Sequence, residues 1–154
     1  MTIVELLNQI INLHHMLAPK RIVHKHIFNT YGQRRHGTLK RGSTVISGEF
    51  GLKAMDANWL TSRQIEAARK VISRYCKGGK IYIRVFPSRP VSSKGLGAPM
   101  GTGVGSIDYF MFPVKPGRII FEVGGISEEK VREAFRIAAH KLPFKCKFVG
   151  KSEF

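Results

Sequence analysis

Gly97 to Gly105 reads GAPMGTGVG, a stretch whose residue types could hold a phosphate. Glycines at 101, 103 and 105 carry no Cβ, so positive φ is open to them and backbone amides can come close to an anion. Nucleotide chemistry asks for more than glycine. A Walker loop needs G-x-x-x-x-G-K-[ST] opening a helix, so that the lysine reaches the phosphates and the hydroxyl holds magnesium. Here no lysine lies between Lys94 and Lys115, and the chain runs on into SIDYFMFPV, which has a strand pattern. A dinucleotide fingerprint must also open a helix. The context excludes both motifs, and no cofactor is expected.

Other chemistry is equally thin. Asp56, Asp108 and Glu122 have no partner at a spacing that suggests acid–base work, and five of the six histidines precede Gly37. His140 falls in a helical pattern and reads as a surface residue or RNA contact, so the chain is not expected to be an enzyme. His14, His15, His24 and His26 have no cysteine or carboxylate beside them at ligand spacing, which argues against a metal site. Cys76 and Cys146 belong to no C-x-x-C pair and read as reduced thiols. No apolar run approaches the roughly 20 residues of a membrane span. The N-terminal apolar pattern carries Glu5 and few basic residues, a poor match to a membrane-surface helix. It also lacks the basic leader of a secretory signal. No membrane partner is expected, and no homo-oligomer.

Charge is the informative property. The 154 residues carry 26 Lys and Arg against 10 Asp and Glu, a formal net charge of +16. A surface this positive attracts polyanions from a distance, with nucleic acid the leading class. Between Glu5 and Glu49 there is no acidic residue, while Lys20, Arg21, Lys25, Arg34, Arg35, Lys40 and Arg41 all fall there. Such an arm, interspersed with Gly, Tyr and His, is suited to tracking a phosphate backbone.

The elements that must position these residues follow from periodicity. Residues 1–15 form an apolar helical extension and 16–43 an extended basic arm; 44–154 form the folded domain. TVISGEF and LKAMDANWL read as strands with Gly51 as a turn or bulge between them. TSRQIEAARKVISRYCK reads as a helix, with Thr61 as N-cap, Gln64 at the capping-box position and Ile65, Ala68, Ile72 and Tyr75 on the core face. Arg63, Lys70, Arg74 and Lys77 make a basic stripe on another face. KIYIRVF is a strand, residues 87–105 a long loop, and SIDYFMFPV and RIIFEVGG two strands joined by a tight turn at Lys115 to Gly117. A second helix starts after Ser127, buries Val131, Ala134, Phe135, Ala138 and Leu142, and stops at Pro143; FKCKFV closes as a strand. The expected class is α/β (α+β): a two-layer sandwich of a mostly antiparallel sheet with two helices on one face, preceded by the arm.

The block SRQIEAARKVISRYCKGGKIYIRVFPSRPVSSK, Ser62 to Lys94, resembles the central part of the universal large-subunit ribosomal protein family numbered sixteen in bacteria. The likeness runs on through PMGTGVGSIDYF and VKPGRIIFEVGGISEEKVREAFRIAAHKLPFKCKFV, and back to MLAPKR, covering Met16 to Val149. The resemblance implies a structural constituent of the large subunit, bound to its rRNA near the aminoacyl-tRNA site and the peptidyl-transferase region. It places rRNA contacts of the arm on Lys20, Arg21, Lys25, Arg34 and Arg35, with Lys40 and Arg41 continuing the same run. It places further contacts on Arg63, Arg69, Lys70, Arg74, Lys77 and Arg84. The side toward tRNA is the loop, with Arg89, Lys94, Pro99, Met100, Gly101, Thr102, Gly103 and Gly105. Implied partners are large-subunit rRNA, tRNA in the aminoacyl site and neighbouring large-subunit proteins.

Bacterial members of that family usually carry Arg before the loop methionine and Lys between its glycines. This chain has Pro99, Thr102 and Val104 there. The lost charges, with the N-terminal extension, point to a mitochondrial member, with bacterial cytoplasm or plastid as the alternative compartments. The alternative role is a free RNA-binding regulatory or assembly protein.

Overall fold

The computed structural model describes residues 17–22, 37–101 and 103–151. Its elements in order are β1 (Phe50–Ala54), β2 (Asn58–Thr61), α1 (Ser62–Tyr75), β3 (Lys80–Ile83), β4 (Arg89–Ser93), β5 (Ser106–Val114), β6 (Ile119–Gly124), α2 (Glu128–Ala139) and β7 (Cys146–Gly150). The expected α+β sandwich is what the chain forms, and its strand pairs are antiparallel. The strands divide between two sheets, ordered β3-β6-β1-β7 and β2-β5-β4.

Local sequence explains the division. In β6, Ile119 to Val123 are all buried, so the strand shows a continuous apolar run instead of the alternation of a half-exposed strand. It lies between β3 and β1, with Val123 opposite Phe50 and Phe121 opposite Leu52. At the Lys115–Gly117 turn the chain leaves one sheet for the other. Gly117 has φ +92°, its amide donates to Ala54 O at 2.8 Å, and Leu39 N donates to Pro116 O at 2.9 Å. The tight turn is as expected from the Pro-Gly pair, but β5 and β6 diverge into separate sheets after it.

Four expectations need correction, the first being Tyr75, expected on the core face of α1 but 46% exposed at its last residue. TVISGEF is not a strand before Phe50, because the amides of Ile46, Ser47 and Gly48 donate to the Glu122 carboxylate and so are unavailable to a strand ladder. Gly51 is neither turn nor separator: it sits within β1, where a Cβ would come to 2.7 Å from Val45 Cγ2. The segment 87–105 is not loop throughout, since Arg89–Ser93 pairs with β5 and leaves 94–105 as the connection.

The two helices pack on each other, with α2 also against β1 and β7 and α1 against β2 and β5. Ile65, Ala68 and Ile72 of α1 meet Val131, Ala134, Phe135 and Ala138 of α2 in one core with Leu52, Phe121 and Val123. Full burial of each large apolar side chain contributes about 1.5–3 kcal/mol, so this core fixes how each helix is rotated. Leu142 joins it beyond the end of α2, which stops at Ala139.

Candidate nucleic-acid interface

The rotation of α1 decides which basic residues face outward. Its start is closed by reciprocal hydrogen bonds: Gln64 N donates to Thr61 Oγ1 at 3.4 Å, and Thr61 N donates to Gln64 Oε1 at 3.0 Å. With Ile65, Ala68 and Ile72 buried, Arg63, Lys70, Arg74 and Lys77 are exposed. Arg63 to Arg74 spans about 16 Å at 1.5 Å rise per residue. Duplex nucleic acid presents about ten phosphate charges over that distance. Among the described residues none of the four makes a salt bridge. No acidic residue stands in the first turn of α1, whose positive dipole end instead carries Arg63.

The other helical cations differ. Arg69 makes two hydrogen bonds to Glu66, at 2.7 and 2.8 Å. That pairing holds the Glu66 carboxyl below its usual range, the hydrogen bond from Arg69 being the main cause. On α2, Arg132 pairs with Glu128 at 2.6 Å and Arg136 with Glu133 at 2.8 Å.

Arg84 is drawn inward. Its guanidinium pairs with Glu122, which is fully buried and also accepts the amides of Ser47 at 2.7 Å and Gly48 at 3.0 Å. Burial alone would push the Glu122 carboxyl up, but the amides of Gly48, Ser47 and Ile46 and the charge of Arg84 together hold it below the ordinary range. The sequence offers Glu122 no partner, and the family resemblance makes Arg84 an rRNA contact. The signal was an acid inside the apolar run IIFEVG, where burial demands a partner. Arg118, also unremarked in the sequence, sits beside them: its Nη2 donates to Arg84 O at 3.1 Å.

Along the arm, Lys20, Arg21, Lys40 and Arg41 are exposed. Lys25, Arg34 and Arg35 lie outside the described residues, as do His14, His15, His24, His26 and Thr102. Among the described residues no group of three His, Cys, Asp or Glu could hold a metal ion, and no helix is long and apolar enough to cross a membrane.

The connection 94–105 projects from the β4–β5 hairpin. Gly97, Gly101 and Gly103 have φ of +81°, +101° and +81° with open space where a Cβ would be. Gly105 is different: a Cβ there would strike the Ser93 carbonyl, so its lack of a side chain closes the hairpin. Lys94 Nζ donates to Pro99 O at 3.2 Å across the base of the loop. Leu96, Met100 and Val104 are exposed on it. Arg89 lies half-buried in β4, away from the loop proper.

Folded around one core, the described residues thus present unbridged cations along and just past α1, exposed Lys20, Arg21, Lys40 and Arg41, and an outstanding glycine loop. Residues 19–149, most of the chain, match the family model described as Ribosomal protein L16p/L10e. Proteins of that family are structural rather than enzymatic, with rRNA and neighbouring ribosomal proteins as partners. This chain therefore belongs to the Ribosomal protein L16p/L10e family of structural proteins of the large ribosomal subunit.

Proposed function

We propose that the chain binds large-subunit rRNA through the outward face of α1 and the basic arm, and turns the 94–105 loop toward tRNA in the aminoacyl site near the peptidyl-transferase region. The observation that carries this reading is the set of exposed, unbridged cations Arg63, Lys70, Arg74 and Lys77. Lys20, Arg21, Lys40 and Arg41 extend it, and in sequence so do Lys25, Arg34 and Arg35. Cations of this kind displace condensed counterions from phosphates, which gives affinity without base readout. Arg69 and Arg84, each held by a carboxylate, are secondary contacts in this scheme.

The loop contributes differently. Pro99, Thr102 and Val104 bring no charge, so Met100 and the open backbone at Gly101 and Gly103 make the approach to RNA. A charge-poor loop suits a mitochondrial subunit, the compartment we assign. Lysate from an organelle-enriched fraction, run on a sucrose gradient before and after a high-salt wash, tests the assignment. Salt-resistant migration with the mitochondrial large subunit is expected. Migration as a free protein would instead make it a regulatory or assembly factor, and migration with cytosolic ribosomes would overturn the compartment.

A further inference from the structure

A cleft of about 580 Å³ opens beside the β3–β4 connection, lined among others by Leu17, Arg84, Phe86, Ser88, Phe112 and Arg118. Its volume falls within the range of about 300–1,000 Å³ typical of sites for small ligands. Two features of its wall are unusual together. The first is charge: Arg84 and Arg118 lie side by side, and Glu122 is the one carboxylate bridged to either of them among the described residues. Arg118 has its Nη2 on a backbone carbonyl, its Nη1 against Gly42, and a buried Nε with no hydrogen-bond partner. One positive charge is therefore left uncompensated at the cleft. The second is aromatic surface: Phe86 is 43% exposed as a residue, and Phe112 lies with its centroid 5.5 Å from the Arg118 guanidinium carbon.

We infer that this cleft receives a single unpaired nucleotide of an RNA, its base against Phe86 and its phosphate drawn to Arg118. This inference rests on the rRNA-binding reading and adds to it a site for one extruded base. An aromatic face and a guanidinium are the groups that hold unstacked bases, since every base has a π-face and every nucleotide a phosphate. An acidic peptide would satisfy the charge but leave exposed Phe86 without a flat partner. Burial and the neighbouring charge of Arg84 both disfavour the charged form of Arg118, a cost that an anion between them relieves.

The test uses the full chain and two RNAs: a 20-base-pair duplex, and the same duplex with one unpaired adenosine in its middle. The wild-type chain is expected to bind the bulged RNA about tenfold more tightly, the size of one base–aromatic stack. F86A should abolish that preference without changing duplex affinity, and F86W, which keeps a flat ring, should retain it. Equal affinity of wild type and F86A for the bulged RNA, with duplex binding intact, would overturn the cleft assignment and leave the rRNA reading standing. A preference lost in F86W as well would also overturn it, because a flat ring would then not be what is read. Absence of salt-sensitive binding to either RNA would instead overturn the rRNA-binding reading on which the inference depends. Competition by hexaglutamate that Arg118→Ala abolishes and F86A leaves intact would reassign the cleft to an acidic peptide.

Discussion

The helices α1 and α2 have similar apolar stripes and share one core, yet their outer faces are built on opposite plans. On α2, Glu128 and Glu129 occupy the first turn, where they complement the helix dipole, and Glu128–Arg132 and Glu133–Arg136 pair along the surface. That helix balances its own charge. On α1 the first turn holds Arg63 and no acid, and Lys70 and Arg74, with Lys77 just past its end, stand unbridged among the described residues. A cation at the positive end of a dipole is locally unfavourable, so α1 is arranged for a counter-charge that lies outside the folded chain. The difference teaches that total charge locates no interface; the cations left over after internal pairing do.

The sharpest way to break the comparison is to neutralise each face in turn. Replacing Arg63, Lys70, Arg74 and Lys77 together by alanine should weaken binding to large-subunit rRNA by about a hundredfold or more near physiological salt. Each lost phosphate contact should also flatten the slope of log affinity against log salt by about 0.7–0.9. Replacing Arg132 and Arg136 should leave both affinity and slope close to wild type. Equal losses from the two faces would remove the distinction.

A third kind of pair, neither surface-balanced nor free, is the Arg84–Glu122 bridge. Glu122→Ala should cost about 3–5 kcal/mol of stability in chemical denaturation, because it strands Arg84 and three backbone amides. The same carboxylate sets an acid limit. Its folded pKa lies below the unfolded value, so its contribution is complete well above about pH 4.3 and is lost as pH falls through the lower folded value. Melting temperature measured from pH 7 to pH 3 should fall faster in the wild type than in Glu122→Ala.

A smaller effect is expected where α1 begins. Thr61→Ala removes the side-chain half of the capping box and should cost about 1 kcal/mol without changing RNA affinity, since the outward face keeps its rotation. The smallest concerns the thiols. Burial, aided by the charge of Asp56, pushes the Cys146 thiol up to about 12, and burial also raises Cys76. Iodoacetamide at pH 8 should label neither in the folded protein and both in urea; rapid labelling of half-buried Cys146 in the native state would contradict its raised pKa.

Much of this was legible in the sequence because short-range rules governed it. The α1 start was readable from Thr61 and Gln64, its buried stripe from Ile65, Ala68 and Ile72, and β5 from the pattern of Ser106–Val114. What was not legible depended on contacts between residues far apart in the chain. Glu122 takes amides from residues 46–48, which turned an expected strand into an irregular support. Gly51 looked like punctuation, whereas close approach of Val45 is what requires it. Arg89–Ser93 holds Pro90 and polar residues and shows little strand character until β5 lies beside it. For the candidate interface, the cations could be named from the sequence but their state of pairing could not: Arg69 and Arg84 read the same as Arg63 and Arg74 until Glu66 and Glu122 are seen next to them.

The most direct test of the central claim is lysine acetylation of intact large subunits, quantified by mass spectrometry before and after digestion of the rRNA. Lys70 and Lys77 should become reactive only after digestion, while exposed Lys130 of α2 should react to the same extent in both samples. Lys70 and Lys77 already fully reactive in the intact subunit would contradict the assignment of α1 to rRNA.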